Sequence, residues 1–372
     1  MTSNADAFTI DIASDIIDDL RARLSQTRFP DTVAGAGWDY GTKTDYLETL
    51  IDYWRNGYDW EAEQDRLNGF DHFKARVDGL DVHFVHATSS RDDAIPLLLL
   101  HGWPSSFVQM LDLIPQLTEG EPAFHVVAAS LPGFGFSDRP SEPGMSPAAM
   151  APMMHALMHD VLGYERYGMR SSDLGAGVAS AMALSHPEAV IGSHTGGTNP
   201  YLQGEIPTDL SEAEAEFVAN AQNWMQTEMA YAQLHASKPQ TLAVALNDSP
   251  AGLASWIVEK FHKWVDHDGD PMSRVGRDAF LTNLTIYWAT QTIGSSMRLY
   301  YEAVRSPGSW GRADVPVGYL MPRHDMFPTP REWMERQGPI GHWTETDQGG
   351  HFMEWEQPGI VADDLQRFFG AL

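Results

Sequence analysis

The chain contains no cysteine among its 372 residues. Disulfides, thiolate metal sites and cysteine nucleophiles are therefore excluded. Positive charge is scarce as well: 24 lysines and arginines stand against 51 aspartates and glutamates, a formal net charge of −27. Such a surface repels phosphate backbones and anionic lipid, so neither nucleic acid nor a membrane is an expected partner. A neutral or cationic small molecule is easier to attract. Long apolar runs are also missing. The longest compact one, Ile95 to Leu100, is strand-sized, far short of the ~18 to 20 residues that span a bilayer. The opening MTSNADAFTIDIASD lacks the basic start and apolar middle of a secretion signal. The expectation is a soluble, cytoplasmic protein.

Apolar content is ordinary, so a large core can be buried. Four regions separate by pattern. In residues 1–90, Ser14 is a candidate N-cap before Ile16, Ile17, Leu20 and Leu24 at helical spacing. Tyr46, Leu47, Leu50, Ile51, Tyr53 and Trp54 mark a second amphipathic helix, and Val82 to His86 alternates like a strand. Residues 91–200 alternate strands and helices, which argues for a parallel sheet. Strands are expected over Ile95–Leu100, Phe124–Ala129, up to Ser172, and over Ile191–His194. Met150, Met153, Met154 and Met158 share one helix face, read as core packing. Residues 201–312 lose the strand alternation and read as a helical insertion. In residues 313–372 the alternation returns, with strands over Val315–Met321 and Gly341–Thr344. The fold class is α/β: a mostly parallel central sheet flanked by helices, with a helical cap and an N-terminal extension.

The chemistry centres on Ser171-Ser172-Asp173-Leu174-Gly175, between an expected strand and an expected helix. Small residues two positions either side of a central residue are what a sharp strand-to-helix turn requires. The turn lifts the central side chain out of the sheet, and the helix N-terminus favours its negative charge. The central residue is aspartate, and no G-x-S-x-G occurs anywhere, which disfavours a serine esterase. Taken alone, Asp173 could be a simple helix N-cap. It gains weight from Asp325 and His351, which follow in the chain order nucleophile, acid, histidine, each just past an expected strand. His101-Gly102-Trp103-Pro104 follows the first strong strand, where this fold places an oxyanion-hole amide. The backbone N–H groups of Trp103 and Leu174 are the two expected donors.

With these motifs in place, the chain resembles the epoxide hydrolases of the α/β-hydrolase superfamily, most closely the branch with microsomal and juvenile-hormone epoxide hydrolases and their bacterial relatives. Further signatures are Arg28-Phe29-Pro30-Asp31, Tyr53-Trp54-Arg55, Tyr58-Asp59-Trp60, Leu131 to Arg139, Asn247-Asp248-Ser249-Pro250 and Gly349 to Phe352. The resemblance spans nearly the whole chain. It implies that residues 1–90 wrap core and cap, and that an epoxide is opened through an aspartyl ester with no metal or organic cofactor. It also implies two cap tyrosines that hold and protonate the epoxide oxygen. Tyr231 matches one position and Tyr300 the other, with Tyr301 a neighbouring rival. The pattern departs from the family in two places. Leu174 stands after two serines where tryptophan after two glycines is usual, and the triad acid Asp325 replaces a glutamate. The expected substrate is an apolar epoxide, with a homodimer left open. Two other readings stand beside this one: a haloalkane or haloacid dehalogenase with the same triad logic, and a non-catalytic ligand-binding descendant. The dehalogenase is disfavoured because Thr198-Asn199-Pro200-Tyr201, after the strand at residues 191–194, offers no carboxylate.

Overall fold

Leucines 97 to 100 are fully buried, as a continuous apolar strand must be when helices cover both faces of a sheet. The computed structural model describes residues 5–196, 206–306 and 313–372; the stretch 198–201 weighed above lies outside them. The strands are β1 (Ala5–Phe8), β2 (His72–Val77), β3 (Leu80–Ala87), β4 (Ile95–Leu100), β5 (Phe124–Ala129), β6 (Tyr167–Ser172), β7 (Val190–Gly196), β8 (Val317–Pro322) and β9 (His342–Thr346). They form one sheet in the order β1-β2-β3-β5-β4-β6-β7-β8-β9. The β1–β2, β2–β3 and β3–β5 pairs are antiparallel. From β5 across to β9 every pair is parallel.

Seven strands lie where the sequence pattern puts them, although β8 starts at Val317 rather than Val315. β1 and β2 lie outside the expected strands. β2 and β3 form a hairpin on Asp78-Gly79, whose φ values of 46° and 81° suit a two-residue turn matched to strand twist. The first helix, Ser14–Ser25, corrects the expected cap: Ser14 is its first residue, Ala13 holds the cap position, and no side chain caps it. Asp15 in the first turn supplies the negative charge that this helix end favours. The methionine face is core as expected, since all four side chains are buried.

Between β7 and β8 lie the cap helices Glu212–Thr227, Ala230–Ser237, Pro239–Asp248, Pro250–Trp264, Met272–Val275, Arg277–Thr290 and Ile293–Arg305. The helices Ser14–Ser25 and Thr44–Asn56 lie against this cap. Trp54 Nε1 donates to Thr285 Oγ1 at 3.0 Å, and the Tyr58 and Thr282 hydroxyls are 2.9 Å apart, all buried. At the rim, Arg23 donates to Asp248 and Tyr53 to Asp278, each at 2.8 Å.

A buried ionic network ties β6 to the C-terminal segment. Arg170, three residues before Asp173, donates from Nε to Glu354 Oε1 at 2.9 Å and from Nη1 to His194 Nδ1 at 2.8 Å. A guanidinium only donates, so His194 accepts at Nδ1 and carries its proton on Nε2, 2.9 Å from Asp364 Oδ2. Burial lowers the His194 pKa to about 4, in keeping with a neutral ring. A buried pair such as Arg170–Glu354 adds little net stability; it fixes the spacing between β6 and the segment just after His351.

Candidate active site

Asp173 opens the helix Asp173–Ser185 with a φ of 48°. That left-handed conformation is sparsely populated for any residue but glycine. It is held here by packing, as backbone strain at working sites usually is. Two glycines make the turn fit. A Cβ at Gly175 would collide with the carbonyl oxygens of Leu100 and His101, and a Cβ at Gly102 would overlap the Asp173 carboxylate. The end of β4 therefore lies directly against the nucleophile candidate.

This closeness sets the carboxylate. The Trp103 N–H donates to Asp173 Oδ1 at 2.8 Å. The Leu174 N–H belongs to the first helical turn, where no carbonyl four residues back is available. Asp173 Oδ2 faces His351 Nε2 at 3.4 Å, and His351 Nδ1 lies 2.9 Å from Asp325 Oδ1. Asp325 also accepts the Met326 N–H at 2.7 Å, so the shorter acid reaches the histidine from a locally fixed turn. Burial alone would lower the His351 pKa; the Asp325 and Asp173 carboxylates outweigh it and raise it to about 10. The two neighbouring carboxyl groups thus favour the protonated form of His351.

The histidine loop is docked rather than free. The His351 N–H donates to Trp264 O at 2.7 Å and the Gly349 N–H to Asp266 Oδ2 at 3.0 Å. Glu356 accepts three backbone N–H groups, from Asp266 (2.7 Å), Gly350 (2.8 Å) and Phe352 (2.9 Å). Burial pushes its carboxyl up to about 7, against those three donors. The loop carrying Trp103 is gripped by the cap: Asn283 Nδ2 donates to Pro104 O and the Tyr287 hydroxyl to Ser105 O, each at 2.9 Å. Sequence reasoning missed Glu356, Asn283 and Tyr287. Neither periodicity nor a motif marks them: Asn283 and Tyr287 reach backbone atoms of a distant segment, and Glu356 ties its own loop to Asp266.

Tyr231 and Tyr300, from two cap helices, are both buried. Their rings lie 6.0 Å apart, centroid to centroid, and at 5.3 and 6.0 Å respectively from the Trp103 ring. Trp264 lies 5.4 Å from Tyr231 and 5.2 Å from His351. Tyr301 turns away, with the Arg305 guanidinium 3.4 Å from its ring centroid. The structure thus brings Trp103, Asp173, Leu174, Asp325 and His351 together at the carboxyl ends of β4, β6, β8 and β9, with Tyr231 and Tyr300 facing Trp103 from the cap.

Among the described residues, His194, His342 and Asp364 are the group whose ligand atoms come close enough to hold a metal. Both ring nitrogens of His194 are already engaged, by Arg170 and by Asp364. Coordination through Nε2 would demand an imidazolate beside Asp364, so the cluster reads as a hydrogen-bonded relay.

The model for the epoxide hydrolase N terminus matches residues 5–110, and that for the alpha/beta hydrolase fold matches residues 95–254. The chain is 32% identical to juvenile hormone epoxide hydrolase 1 of Ctenocephalides felis, over 96% of this chain and 84% of that one. It is 31% identical to epoxide hydrolase 1 of Sus scrofa, over 98% and 88%. The crystal structure of juvenile hormone epoxide hydrolase from the silkworm Bombyx mori matches with a TM-score of 0.87 at 32% identity, covering 99% of this chain and 94% of that one.

Proposed function

The chain belongs to the epoxide hydrolase family of α/β-hydrolases, and from that premise we propose how its residues turn an epoxide into a vicinal diol. One observation carries the assignment. Asp173 holds one carboxylate oxygen on the Trp103 amide and presents the other toward His351.

Asp173 Oδ2 attacks an oxirane carbon, forming an ester as the ring C–O bond breaks. The departing oxygen would be an alkoxide, a poor leaving group in water. Tyr231 and Tyr300 donate hydrogen bonds to it, and one gives up its proton; a phenol with a pKa of ~10 suits the task. Ester formation removes the charge of Asp173, one of the two carboxylates that raise the His351 pKa. The imidazolium then releases its Nε2 proton, which restores the tyrosinate. Neutral His351, oriented by Asp325, takes a proton from water as hydroxide adds to the ester carbonyl. The Trp103 and Leu174 amides hold the oxyanion, a contribution of about 3 kcal/mol for each such donor. Collapse expels the diol oxygen, which takes a proton from His351. The acid of Asp173 returns its proton to the imidazole, and no proton is gained or lost overall.

The aromatic wall of Trp103, Tyr231, Trp264 and Tyr300 supports an apolar epoxide. A cysteine-free chain is in keeping with work in the cytoplasm. The buried tyrosine pair favours an alkoxide leaving group over halide, which needs no proton.

The test is intact-protein mass spectrometry of His351→Gln after incubation with aryl and alkyl epoxides, with wild type assayed for diol in parallel. An adduct of one epoxide mass mapped to Asp173 is the expected result. Diol formation by wild type with no adduct on Asp173 in the variant would remove the nucleophile assignment.

A further inference from the structure

The cap wall contains a group that the reaction above does not use. His235 is fully buried and follows Tyr231 by four residues on the helix Ala230–Ser237, so both side chains share one face. Its ring lies 4.8 Å from that of Trp103, 5.0 Å from Tyr300 and 5.6 Å from Tyr231, each in an edge-to-face arrangement. Trp256 Nε1 donates to His235 Nε2 at 3.1 Å. An indole N–H can only donate, so Nε2 accepts and the proton of the neutral ring must sit on Nδ1. Burial, helped by the charge of Lys260, lowers the His235 pKa to about 3 and keeps that ring neutral. His235 Nδ1 is buried and has no hydrogen-bond partner among the described residues, and the same is true of Trp103 Nε1.

A buried donor left unpaired carries its full desolvation penalty with no hydrogen bond in return. Two such donors sit on neighbouring rings beside the nucleophile candidate, and neither has an acceptor among the described residues. A ligand oxygen would satisfy them.

We propose that His235 Nδ1–H and Trp103 Nε1–H form a subsite for an acceptor oxygen of the substrate, so that the enzyme prefers epoxides carrying an ether or carbonyl oxygen near the oxirane. This rests on the epoxide hydrolase reading and names the substrate class within it. A purely hydrocarbon epoxide leaves both donors unpaired in the complex, whereas an ether or carbonyl oxygen pairs at least one.

The experiment compares phenyl glycidyl ether with (2-phenylethyl)oxirane, which replaces the ether oxygen by a methylene. The quantity read is the ratio of their kcat/KM values, in which any general loss of activity cancels. Wild type should favour the ether by roughly 5- to 10-fold, the return from one neutral hydrogen bond. His235→Phe, which keeps a ring but has no donor, should bring the ratio well below the wild-type value, since only the Trp103 donor remains. His235→Asn places an amide N–H near the Nδ1 position and should keep most of the preference. Equal kcat/KM values in wild type, or a His235→Phe variant that retains the wild-type ratio, would overturn the donor assignment while leaving epoxide hydrolysis standing. A wild type that makes diol from neither compound would instead overturn the epoxide reading, and the subsite with it.

Discussion

Glu356 holds His351 by its neighbours and not by its ring: the carboxylate takes the backbone N–H groups of Gly350 and Phe352, one on each side of the histidine. With Asp266 as a third donor, the loop is fixed relative to the end of the cap helix Pro250–Trp264. In the proposed mechanism Glu356 is thus a positioning residue for the step in which His351 would activate water.

Glu356→Gln leaves one acceptor oxygen and turns an amide NH2 toward a backbone donor. The ester hydrolysis step should slow at least about tenfold, the rate equivalent of roughly 1.4 kcal/mol, while alkylation is spared. In a two-step reaction this lowers kcat and KM together and leaves kcat/KM in place. Steady-state kinetics and the fraction of enzyme trapped as ester would check it. A fall in kcat at constant KM would mean only that less enzyme is folded.

The titration of His351 should depend on Asp173. With both carboxylates charged, its pKa is raised to about 10. Asp173→Asn removes one of them and should lower the midpoint by about 1–3 pH units, the usual effect of one nearby opposite charge. Histidine side-chain NMR against pH reads this directly; an unchanged midpoint would mean that Asp325 alone sets the histidine.

The two tyrosines should act on the first half of the reaction. Tyr231→Phe and Tyr300→Phe should each lower kcat/KM by about 10- to 100-fold, within the range for a lost general acid, and the double variant by more. A preformed ester should still hydrolyse in each. Rapid-mixing measurements that follow ester formation separate the two steps, and normal alkylation in the double variant would exclude the pair.

Acid should unfold this protein through its buried histidines. The pKa values of His101 and His194 are lowered to about 4, chiefly by burial. Between about pH 6.5 and 4 the unfolded chain binds protons that these folded rings do not, so stability falls as pH falls through that window. For one such ring the loss at pH 5 is about 2 kcal/mol. Histidine side-chain NMR against pH reads these midpoints apart from the opposing contributions of Glu356 and His351, and a midpoint near 6.5 for His101 or His194 would contradict the neutral, buried state.

The parts of the site legible in the sequence were those that strand ends impose. Asp173, Asp325 and His351 each follow a strand, and Gly102 and Gly175 have no room for a side chain. The choice between Tyr300 and Tyr301 rested on resemblance; in the fold Tyr300 is buried beside Trp103, and Tyr301 lies under Arg305. What stayed hidden depends on contacts between distant segments. Asn283 reaches Pro104 across 179 residues, and no local pattern encodes that. His235 looked like any cap residue until Trp256 fixed its tautomer. Among the strands, β1 is four residues long and half-exposed, whereas β2 does alternate, Phe73, Ala75 and Val77 against Lys74 and Arg76, a pattern as legible as that of β3.

The cap is fastened on two sides. Trp54, Tyr58 and Arg23 bind it from the N-terminal helices, while Trp264 and Asp266 bind it to the loop of His351. A cap held this way cannot swing as an independent lid without breaking both attachments. Breathing wide enough to admit a bulky guest would therefore displace the histidine and switch the site off while it stands open.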